Sequence, residues 1–189
     1  MSNRKSLIWT LVFVFITVMD IGLTFTATPD LTDEGNPISS VLKLGWFALI
    51  LTNVIAVAVF ALFSHIAFDR YKTPKFTAKS FFEFYLMLFY NTKTMVVKPM
   101  FKLPKNWMPF FAMISFSACV SLIAGRIVVV LEWVAVLLGY RHSMYFWVRD
   151  YLPLGRTDVW VFILAFLISV LVWMQKEFKK VSKFTQINK

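Results

Sequence analysis

Four long apolar runs alternate along the chain with charged, polar or proline-containing stretches. The runs cover residues 7–27, 44–66, 110–133 and 159–174 of a chain of 189 residues. A helix needs about 20 apolar residues to cross the hydrocarbon core of a bilayer. The pattern therefore predicts an all-α polytopic membrane protein in which four transmembrane helices form a single domain over residues 1–189.

Two further segments are predicted to lie at the membrane surface. Residues 76–92 are rich in Phe and Tyr, yet Lys79, Glu83 and Lys93 lie within or beside them. We expect an interfacial or re-entrant helix there, because a full crossing would carry lysines to the wrong side. Residues 140–156 combine tyrosines and Trp147 with charged residues, which predicts an amphipathic segment on the outer surface.

The placement of charge predicts the orientation of the chain. The net charge is +10, and the basic residues concentrate at residues 4–5, 70–105 and 176–189. Since basic loops stay in the cytoplasm, both termini are predicted to be cytoplasmic, in the plasma membrane (the inner membrane of a bacterium). We expect contact with anionic lipids on the cytoplasmic side, and no nucleic-acid partner, because no basic stripe lies on a soluble polar face.

The first apolar run carries a polar face. Thr17, Asp20, Thr24 and Thr28 recur at spacings of three and four residues, which places them on one side of a helix. An ionisable residue inside a membrane is costly and is by default a functional candidate. The alternative is a structural carboxylate that binds neighbouring hydroxyls and serves only helix packing.

Polar residues of the next two apolar runs are candidate partners for this face. Asn53 falls at a depth similar to that of Asp20, so the two side chains are predicted to form a hydrogen bond between the first two helices. Arg126 and Glu132 are six residues apart, a poor spacing for pairing with each other, so Arg126 is expected to pair with Asp20 or Glu34. The full candidate cluster comprises Asp20, Thr24, Glu34, Asn36, Asn53, Arg126 and Glu132.

An acidic link joins the first two predicted helices. Asp33 and Glu34 precede Asn36 and Pro37, which resemble an N-cap followed by a proline in the first helical turn. The helix dipole alone favours negative charge at this position. The alternative is a divalent cation held by Asp30, Asp33 and Glu34, although their spacing does not match an EF-hand loop. No other cofactor is predicted.

The same stretch carries a family resemblance. Asp20 is followed by Thr24 in the first helix, and Glu34-x-Asn36-Pro37 opens the second. In these residues the chain resembles a family of small bacterial and archaeal multi-pass membrane proteins of unknown function. The resemblance covers about the first quarter of the chain. It implies a helical membrane fold and supplies no activity.

Motifs for enzymatic chemistry are missing from the sequence. It contains no nucleophile elbow, no H-E-x-x-H pair, no phosphate-binding glycine loop and no Cys/His metal spacing. His65 and His142 are predicted on opposite sides of the membrane, and the single cysteine, Cys119, is predicted to be a packing residue. His65 and Asp69 are four residues apart and can meet on one helix face.

Three functions stay open, and the first is favoured. The chain is predicted to be a non-enzymatic subunit or scaffold that binds protein partners, or a second copy of itself, through residues 76–92 and the small residues of the third helix. The second function is a small ion or solute transporter with Asp20, Asn53 and Arg126 as its site. The third is an intramembrane enzyme for a lipid-linked substrate at the outer face, with Asp20 and Glu34 as carboxylates and Arg126 as phosphate binder.

Overall fold

The computed structural model describes residues 4–31, 44–93, 103–140 and 157–187, with side chains up to residue 182. Five α-helices form these parts of the chain: α1 (Arg4–Ala27), α2 (Gly45–His65), α3 (Phe81–Tyr90), α4 (Trp107–Leu137) and α5 (Thr157–Ile187). The described residues contain no β-strand. The predicted all-α fold is therefore confirmed.

Four of the helices are long and apolar enough to cross a membrane. They are α1, α2 with the turn that continues it to Arg70, α4, and α5 as far as Ser182. Large apolar side chains such as Phe15, Leu51 and Leu171 cover their outward faces. Apolar surface of this extent is stable in lipid rather than in water. The chain is accordingly described as an integral membrane protein with four passes.

Side-chain contacts give the directions of the helices. Phe13 of α1 stacks on Phe60 of α2 with ring centroids 4.2 Å apart, and Thr10 lies 3.1 Å from Ser64 between their hydroxyl oxygens. These pairings make α1 and α2 antiparallel. Trp9 of α1 contacts Phe116 of α4 at 6.4 Å, and pairings farther along confirm that these two helices run parallel.

The alternation of direction brings the most basic parts of the chain to one end of the bundle. That end, called the basic end below, contains the start of α1, the end of α2, α3, the start of α4 and the last turns of α5. Lys176 of α5 lies over the ring of Phe116 near the start of α4, at 5.8 Å from the ring centroid. This grouping is what alternating passes produce when every second connection is basic.

The second span ends in a π-helical turn, Ile66–Arg70. Tyr71 closes it by donating its backbone N–H to the carbonyl of Ile66 at 3.2 Å. The wider turn directs Asp69 towards α1, where Ser6 donates its hydroxyl to the carboxylate. His65 Nδ1 lies 3.2 Å from the same carboxylate oxygen of Asp69, which confirms the predicted contact between these two residues.

The aromatic segment at the basic end contains the short helix α3. Ser80 caps it by accepting the N–H of Glu83 at 3.1 Å, while Glu83 accepts the N–H of Lys79 at 2.7 Å. This arrangement resembles a capping box, except that the glutamate accepts the N–H of the residue before the N-cap. Asn91 ends the helix in the left-handed region with φ 55°, a conformation that asparagine tolerates well.

One face of α3 lies inside a protein core. Phe84, Leu86, Leu88, Phe89 and Tyr90 are buried. They form one cluster with Ala78, Ala112, Trp173, Met174 and Val181. Three of the seven aromatics of residues 76–92 are therefore unavailable to a partner, whereas Phe81 and Phe82 stay exposed. Binding of a partner through this segment stays a prediction.

This core exists because α5 continues as a helix beyond Met174, where the predicted apolar span ends. Trp173, Met174, Glu177 and Val181 are all buried. Their spacing of three to four residues follows one helix face. The basic residues between them point outwards, so a stretch that looks like a charged tail in the sequence is an amphipathic helical extension.

The small residues of α4 serve packing within the chain. Ser117, Ala118, Ser121 and Gly125 are buried. A Cβ atom on Gly125 would lie 3.5 Å from the backbone oxygen of Asp158, so α5 approaches α4 closely there. The expectation that this face binds other proteins is corrected accordingly. Cys119 is buried with Phe13 and Phe60, which confirms its predicted packing role.

Candidate functional site

Arg126 joins three helices within the membrane-spanning bundle. Its Nη1 donates to the Asp20 carboxylate on α1, forming an ion pair. Its Nη2 donates to the side-chain carbonyl of Asn53 on α2. Of the two predicted partners of Arg126, the structure therefore brings Asp20 to it. Asp20 and Asn53 meet through the guanidinium of Arg126, and the predicted direct hydrogen bond between them is replaced by this bridge.

Helix rise accounts for the meeting of these residues. At 1.5 Å per residue, Asp20 lies roughly 10 Å before the end of α1, and Asn53 lies roughly 12 Å after the start of α2. Both positions are at similar distances from the end of the bundle opposite the basic end. Arg126 lies roughly 17 Å before the end of α4, and its long side chain spans the remaining separation. The three side chains thus lie at one level of the bundle, although each belongs to a different helix.

Burial makes this ion pair a low-dielectric interaction. The side chain of Asp20 is 8% exposed and that of Arg126 is 25% exposed. Asn53 is buried, and its amide nitrogen donates to the carbonyl of Leu49 on its own helix at 2.9 Å. The bond to Leu49 orients the amide so that its oxygen faces Arg126. Each polar atom of Asn53 therefore has a partner.

Charge balance determines what the cluster can do chemically. Burying an isolated charge inside a bilayer costs about 3 kcal/mol on insertion scales. For a well hydrogen-bonded pair of opposite charges, the mutual attraction offsets much of this free-energy cost. Asp20 and Arg126 neutralise each other, and Asn53 uses a further guanidinium N–H. The cluster can therefore hold three helices together as a unit. The exposed quarter of the Arg126 side chain leaves one side of the cluster open.

The polar face of α1 turns inwards as a whole. Thr17, Asp20, Thr24 and Thr28 are all buried, as the spacing of polar residues predicts. The Thr17 hydroxyl has no hydrogen-bond partner in the described part of the chain. A buried hydroxyl without a partner is costly, so this position is the least satisfied point near the ion pair.

The remaining candidate residues lie apart from this cluster or outside the described residues. Glu132 is half-buried on α4, six residues beyond Arg126. Asp30 is exposed just after α1, and Thr28 donates its hydroxyl to it at 3.3 Å. Asp33, Glu34 and Asn36 lie outside the described residues. Within residues 4–31, 44–93, 103–140 and 157–187, no three His, Cys, Asp or Glu side chains come together as metal ligands. The predicted cation site stays a prediction.

A second polar cluster lies at the basic end and is absent from the sequence-based candidates. Glu177 of α5 is buried, with its side chain 3% exposed. One carboxylate oxygen accepts the hydroxyls of Tyr71 at 3.0 Å and Thr73 at 2.7 Å, and the other accepts Lys180 Nζ. Burial and the nearby Glu177 carboxylate raise the pKa of the Tyr71 hydroxyl above its ordinary value. The cluster fastens the chain after α2 to the extension of α5.

The sequence does contain a signal for this second cluster. Trp173, Met174 and Val181 are apolar, and Glu177 falls between them at helical spacing. A single carboxylate on the apolar face of an otherwise basic segment indicates a buried, paired group. This pattern becomes visible only if the fourth helix is assumed to continue beyond residue 174, where the apolar span ends.

Comparisons with protein-family models, with curated proteins and with solved structures found no match. The resemblance to small multi-pass membrane proteins thus stays a prediction.

Proposed function

We propose that the chain is a non-enzymatic subunit or scaffold of a membrane assembly, in the plasma membrane with both termini in the cytoplasm. The observation that carries this proposal is the mutual pairing of Asp20, Asn53 and Arg126. These three residues are the intramembrane candidates for a catalytic or transport site. Because they satisfy one another across three helices, they suit the maintenance of a fixed helix arrangement better than the turnover of a substrate.

The other buried carboxylates support the same proposal. Asp69 accepts Ser6 and contacts His65, and Glu177 accepts Tyr71 and Thr73. Both carboxylates thus accept hydrogen bonds from side chains on other segments of the same chain. Polar groups used in this way fix the relative positions of elements, which is what a scaffold requires.

A face of α5 is available for a partner helix. Leu164, Leu167, Ile168 and Leu171 are exposed and follow the spacing i, i+3, i+4, i+7. Lipid acyl chains are as apolar as this row, so a partner helix would be held there by close packing of side chains and not by burial of apolar surface. We therefore assign this face to a second copy of the chain or to another membrane subunit.

The experiment is native mass spectrometry of the full-length protein after gentle extraction from its own membrane. We expect a complex of fixed stoichiometry, weakened by replacing Leu167 and Leu171 with alanine. The same replacement of Ile8 and Leu11, exposed on α1, is the matched control and should leave the complex intact. A lone chain under every extraction condition would contradict the proposal.

The transporter is a second candidate because the ion-pair cluster is not sealed. A quarter of the Arg126 side chain is exposed, and the Thr17 hydroxyl lacks a partner among the described residues. If Thr17 is a ligand, then Thr17→Val should abolish cation flux into proteoliposomes without lowering the melting temperature. Thr26→Val is the control, since Thr26 is exposed and its one hydrogen bond to the described residues goes to the carbonyl of Gly22. Equal flux in wild type and Thr17→Val would exclude Thr17 as a ligand, and wild-type flux no greater than that of empty liposomes would exclude the transporter.

A further inference from the structure

The basic end of the bundle presents several exposed cations, whereas two of the three neighbouring carboxylates, Asp69 and Glu177, are buried. Exposed cations there include Arg70, Lys72, Lys75, Lys79, Lys176 and Lys179. The carboxylates nearest in sequence are Asp69, Glu83 and Glu177. Each accepts a hydrogen bond from its own chain: Asp69 from Ser6, Glu83 from the backbone N–H of Lys79, and Glu177 from Tyr71. Within the described residues, none of these six cations forms an ion pair. The end therefore carries excess positive charge.

Three of these lysines lie on the extended segment that leaves the second span. Tyr71 and Thr73 point inwards to Glu177, and Ala78 is buried in the core of the basic end. Lys72 and Lys75 are exposed between these residues, and Lys79 is exposed directly after Ala78. Because the inward side chains are fixed, the lysines face outwards along a segment that starts where the second span ends, at Arg70, and packs against Glu177 and Phe178 in the last turns of the α5 span. This is the height of lipid headgroups.

Two phenylalanines continue the same surface. Phe81 and Phe82, in the first turn of α3, are 44% and 45% exposed. The ring of Phe81 packs edge-on against Phe178 of α5 at 5.6 Å, which fixes this turn to the bundle. The rest of α3 is mostly buried against the bundle. The two rings are therefore exposed because they lie on its outward side, although the helix itself is well packed. Aromatic rings beside lysines are typical of interfacial segments.

We propose that Lys72, Lys75, Lys79, Phe81 and Phe82 form a binding surface for anionic phospholipids of the adjoining leaflet. The lysines bind the headgroup phosphates, and the Phe82 ring inserts among the acyl chains. Charge complementarity selects anionic over zwitterionic lipid. This proposal requires that the chain spans the membrane four times, and it is independent of the proposed scaffold function. Each lysine near an anionic membrane contributes about fivefold in affinity, so the three together contribute about 100-fold.

The first experiment measures lipid selectivity of the full-length protein. Native mass spectrometry would count phosphatidylglycerol and phosphatidylcholine bound to protein supplied with equal amounts of both. We expect wild type to prefer phosphatidylglycerol, and K72Q/K75Q/K79Q to lose most of that preference. The matched control, K5Q/K93Q/K105Q, removes the same charge from exposed positions elsewhere at the same end. Equal melting temperatures of the two variants would confirm that neither is misfolded.

Each other outcome of this experiment has a defined meaning. Equal loss of preference in both triple variants would indicate general attraction by net charge and would overturn a localised surface. Displacement of the bound lipid by millimolar inorganic phosphate would identify a soluble phosphate compound as the ligand and would also overturn the proposal. No preference in wild type would overturn it directly.

A second experiment measures the depth of Phe82. A nitroxide at F82C, in protein reconstituted into anionic vesicles, reports its relative access to oxygen and to a water-soluble nickel complex. The native Cys119 is buried and is replaced by alanine in this background. We expect greater oxygen access at position 82 and greater nickel access at K93C, an exposed control position. Equal nickel access at both positions would contradict insertion of Phe82.

Discussion

Arg126 of α4 and Asp20 of α1 form an ion pair inside the membrane-spanning bundle, although 106 residues separate them in the sequence. The same guanidinium donates to Asn53 of α2, so one side chain fixes three helices. A buried pair contributes less through its own attraction than through the cost of leaving one member alone. This asymmetry gives the cluster a distinct mutational signature.

Replacing one member of the pair should be more harmful than replacing both. Asp20→Asn leaves the Arg126 charge buried without a counter-ion, and Arg126→Gln does the same to Asp20. We expect each single variant to lower the free energy of unfolding by about 3–5 kcal/mol. The double variant Asp20→Asn/Arg126→Gln should be less destabilised than the sum of the two. Thermal unfolding in a mild detergent measures all four proteins.

The double-mutant cycle separates a structural tie from independent roles. A coupling energy near zero would mean that the two side chains do not act as a pair, and would contradict the arrangement described for α1 and α4. Full activity of the double variant in any later assay would support a purely structural role for both residues.

Asn53 should matter for the orientation of Arg126. Asn53→Leu is close in size but leaves one guanidinium N–H without its acceptor, so we expect a loss of about 1–3 kcal/mol in unfolding free energy. Thr52→Val is the matched control, because Thr52 bonds only to the carbonyl of Ala48 on its own helix at 2.7 Å. Thermal unfolding of the two variants side by side measures the difference. Equal melting temperatures would argue against a bridging role for Asn53.

Gly125 should accept one carbon atom and reject a large side chain. An added Cβ would lie 3.5 Å from the Asp158 oxygen and 3.8 Å from Phe162 Cβ, which are ordinary contact distances. Gly125→Ala should therefore be tolerated, whereas Gly125→Leu must push α4 and α5 apart and should cost about 1–3 kcal/mol. Gly22→Leu is the control, since nothing lies within 4 Å of its Cβ position. Equal melting temperatures for the two leucine variants would contradict the close approach of α5.

Much of this site was predictable because membrane burial constrains sequence strongly. The spacing of Thr17, Asp20, Thr24 and Thr28 predicts an inward face, since polar side chains avoid lipid. Because a charge avoids lipid, Arg126 is expected to pair with a carboxylate, either Asp20 or Glu34. The sequence also groups Asn53 and Arg126 in one candidate site. It does not show that Asn53 bonds to Arg126 instead of Asp20, because the rotation of α4 about its axis depends on packing that sequence spacing does not encode.

The basic end was predicted less well. Residues 176–182 combine lysines with Glu177, Phe178 and Val181, a composition that resembles a solvated tail. The buried face appears only when α3 and α5 are placed side by side, because α3 supplies five and α5 three of the ten buried residues of this core. Short elements with mixed composition depend on tertiary contacts rather than on their own periodicity.

Tyr71 should ionise at a higher pH than free tyrosine. Burial is the main cause of its raised pKa, and the Glu177 carboxylate adds to it. A folded-state pKa above the unfolded value means that this stabilisation is complete below about pH 10 and is lost as pH rises through the folded pKa. Absorbance of tyrosinate at alkaline pH should therefore lose a late-titrating component in Tyr71→Phe.

Tyr85 provides the comparison for this measurement. Burial, together with its hydrogen bond to Tyr90, raises the pKa of Tyr85 to about 12. Tyr85→Phe should remove a different late component, while Glu177→Gln should lower the pKa of Tyr71 and leave that of Tyr85 unchanged. A titration of Tyr71→Phe identical to that of wild type would contradict the buried hydrogen bond to Glu177.

The orientation of the chain can be measured at two exposed positions on opposite ends of the bundle. Asp30 follows α1, and Lys93 follows α3 at the basic end. Because basic segments stay in the cytoplasm, an impermeant thiol reagent should label Asp30→Cys on intact cells and Lys93→Cys only after lysis. Cys119 is buried, so wild type supplies the unlabelled background. Labelling of position 93 from outside would reverse the proposed orientation, and labelling of both positions on intact cells would contradict the four-pass arrangement itself.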